Sequence, residues 1–423
     1  MSDVQHQALR RLDASEVRRE ARPPVDAETL VAAQDIVERV RREGLPAVRE
    51  LAERFGERTP DAPLYLDRSD LWLHWQAQSE ETRGVLERVA SRIEAFARAQ
   101  RSAIAEVDIA IDGGRAGHTI EPIAAAGCYA PGGRYPLPST ALMTAVTARV
   151  AGCERVVVAS PAAHPLTCAA AYVAGADGVL AIGGAHAIAA LAYGFEGFDQ
   201  CDVIVGPGNR WVTAAKQLVS GVVGIDMLAG PSELLVIADA SADADVVAAD
   251  LLAQAEHDTD ASAVLVSTSS ELVEAVDRAI ARRLAELPTA ETARVALQNG
   301  FACVVPDLDA ACRVADWIAP EHLEILTEDP DRIASKIRNA GGVFIGARSA
   351  EVFGDYGAGP NHTLPTGGTA RFQAGLSVTH FLRLRTWLRM ADAEGAVASD
   401  AQGLAELEGL AGHAASARAR RSV

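Results

Sequence analysis

The stretch Asp202-Val203-Ile204-Val205-Gly206-Pro207-Gly208-Asn209 joins a short β-branched run to a turn of small residues. A run of this kind, bounded by turn-forming residues, is typical of a buried strand. The same order occurs upstream at 155–158 and 178–182, and alanine-rich segments separate the runs. Because strands that alternate with helices usually pair in parallel, the pattern predicts an open, mostly parallel α/β sheet.

A second series of strand candidates begins after residue 231, and it alternates with helical segments in the same way. The strands are predicted at 234–238, 263–267, 302–305, 323–326 and 342–345, and the helices near 242–257, 272–287, 307–317 and 330–338. From residue 372 the chain returns to predicted helix, at 381–390 and 403–418. We therefore predict an α/β fold of two successive open, mostly parallel (incomplete Rossmann-like) domains, with a helical N-terminal arm and a C-terminal helical tail.

These elements suggest a division of the chain into four parts. Residues 1–25 form an arm, and residues 123–232 form the α/β domain on the cofactor side. Residues 26–122 begin with amphipathic helices and end in a predicted hairpin, and we assign them with 233–371 to the other, discontinuous α/β domain. Residues 372–423 form the tail, which is long enough to reach a partner subunit.

Composition restricts the classes of protein to which the chain can belong. Its 423 residues are 49% apolar, which suffices for about two to three packed domains. The net charge of −18 argues against nucleic acid as a partner, because binding phosphates needs a basic stripe. The sequence has no apolar run long enough for a membrane span, no signal-peptide core and no CxxC pairing among its six cysteines. We expect a cytoplasmic protein with reduced thiols.

Four turns of small residues adjoin the predicted strands. They are Tyr129-Ala130-Pro131-Gly132-Gly133, Gly183-Gly184-Ala185-His186, Gly206-Pro207-Gly208-Asn209 and Ala229-Gly230-Pro231-Ser232. Glycine-rich turns that open helices present free N–H groups suited to a pyrophosphate. Taken singly, each is better explained as a tight structural turn, and none matches the GxGxxG fingerprint. Their recurrence leaves a dinucleotide site and structural turns as open alternatives.

Gln254 and His257 lie three residues apart at the end of a predicted helix. Residues at this spacing share a helix face, so an amide oxygen and an imidazole project together while Glu256 points elsewhere. The pair is half of a possible metal site. The alternative is a polar C-terminal turn in which His257 interacts with the helix dipole.

Two further places combine a carboxylate with an imidazole. Glu321 and His322 stand where a predicted helix gives way to a strand, and together they are suited to activate water and carry a proton. An ordinary helix-to-strand turn is the alternative. The glycine-rich loop 354–366 holds Asp355 and His362, and loops of this length are more often functional than idle.

Taken together, these pieces resemble the histidinol dehydrogenase family over nearly the whole chain, from about residue 25 to the tail. The motifs stand in family order: Tyr129-Ala130-Pro131-Gly132-Gly133, Gly206-Pro207-Gly208-Asn209, Ala229-Gly230-Pro231-Ser232-Glu233, Gln254-Ala255-Glu256-His257, Pro320-Glu321-His322-Leu323, Gly354-Asp355-Tyr356 with Asn361-His362-Thr363-Leu364-Pro365-Thr366, and Glu408 five residues before His413. Seven ordered motifs are far more specific than one glycine loop.

The resemblance implies a homodimer with one zinc ion per site that uses NAD twice to oxidise L-histidinol, via L-histidinal, to L-histidine, the last steps of histidine biosynthesis. It implies the acid–base pair Glu321 and His322. The zinc ligands it implies are Gln254, His257, Asp355 and His413, the last from the partner subunit. The substrate contacts it implies are Ser232, Gln254, His257, His322, Asp355, His362, Glu408 and His413. Tyr129 and Asn209 are the cofactor contacts.

One position departs from the family pattern. Where the family usually has Gly-Gly-Ala-Gln, this chain has Gly183-Gly184-Ala185-His186. The glutamine is expected to contact the dinucleotide, and an imidazole in its place can change charge near neutral pH. We therefore predict that His186 contacts the cofactor and that NAD binding changes between pH 6 and 8, unlike that of a His186→Gln variant.

Three competing hypotheses remain. A related zinc and NAD enzyme could oxidise another polar alcohol, such as a sulfopropanediol, although no cation stands at the matched substrate positions. A zinc hydrolase could use Glu321 without NAD, which leaves the glycine turns unexplained. A non-catalytic dimer could retain the fold, which leaves the Glu321 and His322 pair unexplained.

Overall fold

The computed structural model describes residues 8–18, 24–132, 136–391 and 395–422, and three sheets organise them. The strands are β1 (Arg11–Leu12), β2 (Tyr65–Asp67), β3 (Val107–Ile111), β4 (Gly114–Pro122), β5 (Ala125–Tyr129), β6 (Arg155–Ala159), β7 (Gly178–Leu180), β8 (Val203–Val205), β9 (Gly224–Ile225), β10 (Glu233–Ala238), β11 (Ser262–Ser267), β12 (Phe301–Val304), β13 (His322–Leu326), β14 (Gly342–Ile345) and β15 (Leu382–Met390).

The helices lie between and around these strands. They are α1 (Ala27–Glu43), α2 (Leu45–Arg54), α3 (Arg68–Gln76), α4 (Glu80–Ser102), α5 (Pro138–Ala151), α6 (Pro165–Val173), α7 (Gly184–Tyr193), α8 (Arg210–Val219), α9 (Ala244–Ala255), α10 (Ser270–Leu284), α11 (Ala290–Ala296), α12 (Leu308–Ile318), α13 (Pro330–Ala334), α14 (Glu351–Asp355), α15 (Ala396–Leu407) and α16 (Ala411–Ala419). No helix within the described residues is long and apolar enough to cross a membrane.

The first sheet has the order β2-β7-β6-β5-β8-β9 and is parallel except for β2, which pairs antiparallel with β7. One face packs against α1, α2, α7 and α8, and the other against α3 to α6. The strands are short β-branched and small-residue runs because both of their faces are buried.

The second sheet has the order β1-β12-β11-β10-β13-β14 and is parallel throughout. Helices α9, α10 and α11 cover one face, and α12 and α13 cover the other. The predicted fold class, two successive open and mostly parallel α/β sheets, is confirmed.

The predicted grouping of residues 26–122 with 233–371 is wrong. The helices α1 to α4 pack on the first sheet, and β2 is one of its strands. The amphipathic faces of these helices indicated burial but not the sheet that buries them. The hairpin predicted at 107–114 is present as β3 and β4, in a third, antiparallel sheet with the order β15-β4-β3.

Two predictions about the chain ends also need correction. Within the described part of the arm, Leu9 is fully buried and β1 pairs with β12, so the arm belongs to the second core; residues 1–7 and 19–23 lie outside the described residues. The helix predicted at 381–390 is the strand β15, paired along its length with β4. Its alternating leucines and arginines have a period of two, as a strand requires. The helix predicted at 403–418 is present, but this part of the tail forms two helices, α15 and α16.

Candidate active site

A large cavity lies at the carboxyl ends of β5 to β8. It has a volume of about 990 Å³, and its lining includes Tyr129, His186 and Asn209, the three predicted cofactor contacts. Because ligands bind open parallel sheets at this edge, the cavity has the position of a nucleotide site. Its lining also includes the aromatic side chains of Phe55 and Trp211.

Tyr129 ties the end of β5 to the start of α7. Its hydroxyl oxygen accepts a hydrogen bond of 3.0 Å from the Gly184 N–H, and burial raises the pKa of the phenol to about 12. The ring therefore stays protonated, with its O–H able to donate in turn. Gly206 closes over the same tyrosine: its φ is 113°, and a Cβ there would lie 2.1 Å from the Tyr129 carbonyl oxygen. Only glycine fits this approach.

Asn209 caps α8 at the edge of the cavity. Its Oδ1 accepts from the N–H groups of Trp211 and Val212 at 3.0 and 3.3 Å. The turn before it is held by a buried ion pair, in which the Lys216 ammonium contacts the Asp226 carboxylate and donates to the Gly206 carbonyl at 3.0 Å. The Gly206 N–H donates to Asp226 at 2.7 Å. Both polar groups of Gly206 are thus fixed by side chains.

The catalytic pair predicted from the sequence is brought together with Ser232. The Glu321 carboxylate accepts from the Ser232 hydroxyl at 2.7 Å and from the Glu233 N–H at 3.0 Å, both at Oε2. Burial, partly opposed by these bonds, raises the pKa of Glu321 to about 7. A carboxyl that titrates near neutrality can both give and take a proton at physiological pH.

His322 presents a free nitrogen. Its Nδ1 lies 3.2 Å from the Glu233 carbonyl oxygen, and since a carbonyl only accepts, Nδ1 carries the hydrogen in this contact. The buried Nε2 then carries a lone pair, and it has no hydrogen-bond partner among the described residues. Burial lowers the pKa of His322 to about 4, so the ring is neutral at physiological pH and Nε2 holds its lone pair.

The site lies at the amino ends of two strands rather than at the carboxyl ends. Ser232 and Glu321 immediately precede β10 and β13, whose register pairs Leu234 with His322. Ligands of open parallel sheets usually bind at the carboxyl ends of the strands, and the cavity of the first sheet lies there, whereas this site does not. In the second sheet the reactive groups occupy the opposite edge.

Asp355 faces two imidazoles. Its Oδ2 lies 3.8 Å from His257 Nε2, and its Oδ1 lies 3.9 Å from His322 Nε2. His257 Nδ1 lies 3.3 Å from the backbone carbonyl oxygen of Gln254, so Nδ1 carries the hydrogen and Nε2 carries the lone pair. A carboxylate oxygen and an unprotonated nitrogen do not attract each other at this distance. A cation placed between them would attract both atoms. Two ligand atoms of one tetrahedral zinc lie roughly 3.4 Å apart, which is close to the separations of Asp355 from the two imidazoles.

The Gln254 side chain supports the same interpretation. It is fully buried, and neither its oxygen nor its nitrogen has a hydrogen-bond partner among the described residues. An unpaired buried amide is costly unless something else binds it. Glu256 points away, as predicted, and accepts a hydrogen bond from Thr289. The residues present therefore fit a metal ion held by Gln254, His257 and Asp355.

Glu351 is a site residue that the sequence analysis missed. His322, Glu351 and Asp355 each offer one ligand atom, and these atoms lie within 4.8 Å of one another. Glu351 is buried, and burial, followed by the nearby Asp355 and Glu321 carboxylates, raises its pKa well above the usual value. Its spacing of four residues before Asp355, on the same face of the short α14, was the available signal.

His362 supports Asp355 from the loop that follows. Its Nδ1 lies 3.1 Å from the Asp355 carbonyl oxygen, and its Nε2 lies 3.3 Å from the Thr140 hydroxyl. Burial lowers its pKa, so a neutral ring holds the backbone of the loop. His322, Asp355 and His362 all line a second cavity, of about 510 Å³.

Glu408 and His413 lie apart from the other predicted site residues. Both are exposed on the hairpin formed by α15 and α16, and no hydrogen bond or ion pair within the described residues joins either to the site. The hairpin also exposes Leu404, Leu407 and Leu410, with Leu407 87% exposed. None of the four apolar cores among the described residues includes a residue of this hairpin.

Comparison with known proteins agrees with these features. The histidinol dehydrogenase family model matches residues 19–421. Histidinol dehydrogenase from Parasynechococcus marenigrum is 47% identical, over 92% of this chain and 90% of that protein. The Thermus thermophilus enzyme is 46% identical, over 91% and 93%. The crystal structure of histidinol dehydrogenase from Elizabethkingia anophelis superposes with a TM-score of 0.91 at 30% identity, covering 98% of each chain. The chain is therefore an oxidoreductase that belongs to the histidinol dehydrogenase family.

Proposed function

We propose that this protein oxidises L-histidinol to L-histidine through L-histidinal, with two molecules of NAD and one zinc ion per site, as a cytoplasmic homodimer. The observation that carries the proposal is the pairing of Glu321 with His322 beside Asp355 and His257. One carboxylate, one lone-pair imidazole and one metal-binding set are the parts that an alcohol oxidation followed by an aldehyde hydration requires.

The first oxidation uses His322. Its Nε2 accepts the proton of the substrate hydroxyl while the carbinol hydride leaves for the nicotinamide, and the product is an aldehyde. The Glu233 carbonyl, which accepts from Nδ1, stabilises the positive charge that the ring gains. Zinc, held by Gln254, His257, Asp355 and His413 of a second copy, would orient the amine and imidazole of the substrate.

The second oxidation uses Glu321. Its carboxylate takes a proton from the water that adds to the aldehyde carbon, and the same carboxyl returns that proton to the former carbonyl oxygen, which gives the hydrate. The hydrate then gives a second hydride to the second NAD and a hydroxyl proton to His322, which has released its first proton to solvent. The acid ionises, so the products are the carboxylate, two NADH and three protons. The bonds from Ser232 and the Glu233 N–H keep the carboxylate in place for this step, since both go to the same oxygen.

The cofactor contacts in this proposal are Tyr129, Asn209 and His186, since all three line the large cavity. The remaining substrate contacts are Ser232, His362 and Glu408, the last from the partner's hairpin, where a carboxylate pairs with the substrate ammonium. The exposed leucines of the hairpin support this arrangement, because a second subunit would cover them.

The test supplies purified protein with zinc, NAD and L-histidinol and measures both products. Two NADH for each histidine support the proposal. NADH without histidine would favour a relative acting on another alcohol, and no NADH with any alcohol would favour a hydrolase or a non-catalytic dimer. Glu321→Gln should lose about 10²–10⁴ in rate. The matched control Glu328→Gln, exposed beyond the far end of β13, should not.

Subunit sharing has its own test. Inactive His413→Ala protein mixed with inactive Glu321→Gln protein should regain partial activity, because one of the two sites in a mixed dimer then has a full set of residues. No recovery in proven mixed dimers would place His413 in the site of its own chain.

A further inference from the structure

The cofactor cavity contains a carboxylate that the proposed reaction does not use. Glu57 follows α2, and its Oε1 accepts a hydrogen bond of 3.0 Å from the Gly183 N–H, at the start of α7. Its Oε2 lies 2.9 Å from Nε2 of His186, in the first turn of the same helix. The side chain of Glu57 is 12% exposed and that of His186 is 2% exposed. The pair lies in the wall of the cavity.

Glu57 fills the place at which a helix would bind an anion. The first free N–H groups of a helix and its dipole attract a phosphate. Here the Gly183 N–H is taken by Glu57 and the Gly184 N–H by the Tyr129 hydroxyl. A phosphate at this end would find these two donors occupied and a negative charge beside them. The cation among the described lining residues, Arg54, lies over the Phe55 ring, 5.7 Å from its centre.

The same carboxylate determines which ring nitrogen of His186 carries the hydrogen. Because a carboxylate only accepts, Nε2 carries the hydrogen in their contact, and Nδ1 of the neutral ring is left as an acceptor. Nδ1 is buried and has no partner among the described residues. The Phe55 ring stacks on the imidazole, with 5.4 Å between the ring centres. Gly184 packs beside Nδ1, since a Cβ added to it would lie 3.8 Å from that nitrogen. The Glu57 carboxylate therefore gives this end of the cavity a negative charge.

The sheet order indicates which half of a dinucleotide would lie at the α7 end of the cavity. The segment that leads to Ser232 leaves the first sheet from β9, next to β8, and α8 contacts it through the hydrogen bond from Thr213 to Ala229. Helix α7 starts from β7, three strands from β8, or roughly 14 Å at the usual strand spacing. The reacting nicotinamide must approach Ser232 and Glu321, so the adenosine half faces α7.

We propose that Glu57 is the specificity-determining residue of this cavity: it makes the α7 end accept an adenosine ribose with free hydroxyls and reject a ribose phosphate. This inference rests on the proposed use of a nicotinamide dinucleotide. Glu57 acts on the cofactor through its own charge, and it orients the His186 ring by accepting the hydrogen of Nε2.

The test measures dissociation constants for NADH and NADPH by fluorescence titration of the zinc-loaded protein. The wild type should prefer NADH. Glu57→Gln should reduce that preference about tenfold or more, because it removes the like-charge repulsion. Glu53→Gln, which removes the same charge from an exposed position in α2, should leave the preference unchanged. In nitrogen NMR spectra assigned with His186→Gln, the His186 ring should carry its hydrogen on Nε2 in the wild type.

The outcomes separate this inference from the proposed function. Wild-type protein that binds neither nucleotide would overturn both. NADH binding with equal NADPH binding, or a preference unchanged in Glu57→Gln, would overturn this inference alone. If Glu57→Gln does not fold, His186→Gln decides: it keeps the Glu57 carboxylate and should therefore keep the preference for NADH. Loss of the preference in that variant would assign the discrimination to the imidazole and overturn the role of the carboxylate.

Discussion

Lys216→Met tests whether a buried ion pair holds in place the turn of residues 206–209 at the large cavity, here called the cofactor turn. Lys216 is 2% exposed and the Asp226 side chain is fully buried, so the variant leaves a carboxylate without its cation in the core. Breaking one partner of a buried pair typically costs about 3–5 kcal/mol. Asp226 keeps its bonds from the N–H groups of Gly206 and Met227, which places the expected loss at the lower end, about 3 kcal/mol.

A loss of this size is measurable as a shift in melting temperature. At roughly 2–4 °C per kcal/mol for domains of this size, thermal unfolding should begin about 6–12 °C earlier. The affinity for NAD should fall as well, since the Gly206 carbonyl loses the Lys216 donor and the turn before Asn209 loosens. The chain supplies a matched control: its other lysine, Lys336, pairs with Asp309 on the surface, so Lys336→Met should leave both quantities unchanged.

The double variant Lys216→Met with Asp226→Asn separates the pair from a simple packing effect. If the cost comes from an unpaired buried charge, the double variant should be clearly more stable than the sum of the two single losses predicts. Additive losses would refute the reasoning, and so would a Lys216→Met protein that melts with the wild type.

Three further predictions follow from other parts of the structure. All six cysteines are buried, so a thiol reagent at pH 8 should label none of them in the folded protein and all six after unfolding. Tyr129→Phe removes the acceptor of the Gly184 N–H, and calorimetry should show a loss of about 1–3 kcal/mol in stability together with weaker NAD binding. His257→Ala removes a nitrogen that faces Asp355, so the zinc content by elemental analysis should fall well below one per chain; one full equivalent in the purified variant would contradict the assignment.

The elements that could be predicted from the sequence are those with a local cause. Runs such as Val156-Val157-Val158 are strands because branched side chains fit a sheet buried on both faces, and the glycine turns mark their ends. Asp26 begins α1 because its side chain accepts the Thr29 N–H. Such signals lie within a few residues of the element that they determine.

The features that escaped prediction depend on distant parts of the chain. The pattern of an amphipathic helix such as α1 indicates that one face is buried, but not which sheet buries it. The predicted grouping of residues 26–122 with 233–371 was wrong for this reason. Glu351 looked like any exposed acid until the fold placed it 3.5 Å from His322 Nδ1. Residues 382–390 alternate with the period of a strand, but their partner β4 lies far upstream, so no local signal showed that a sheet would hold them. The contacts of Glu408 and His413 lie beyond a single chain in our proposal.

The large cavity and the proposed catalytic pair are joined by one short piece of backbone. Asp226 fixes the cofactor turn, and six residues later Ser232 donates to Glu321, so the intervening chain spans at most about 20 Å. It is fastened on the way by Thr213, which donates to the Ala229 carbonyl, and by Thr366, whose hydroxyl accepts the Gly230 N–H. Because this segment is short and held at two points, a shift at its Asp226 end should also shift Ser232. Loosening the Gly206 turn should therefore misplace Ser232 as well, and Lys216→Met should lower the turnover rate even at saturating NAD.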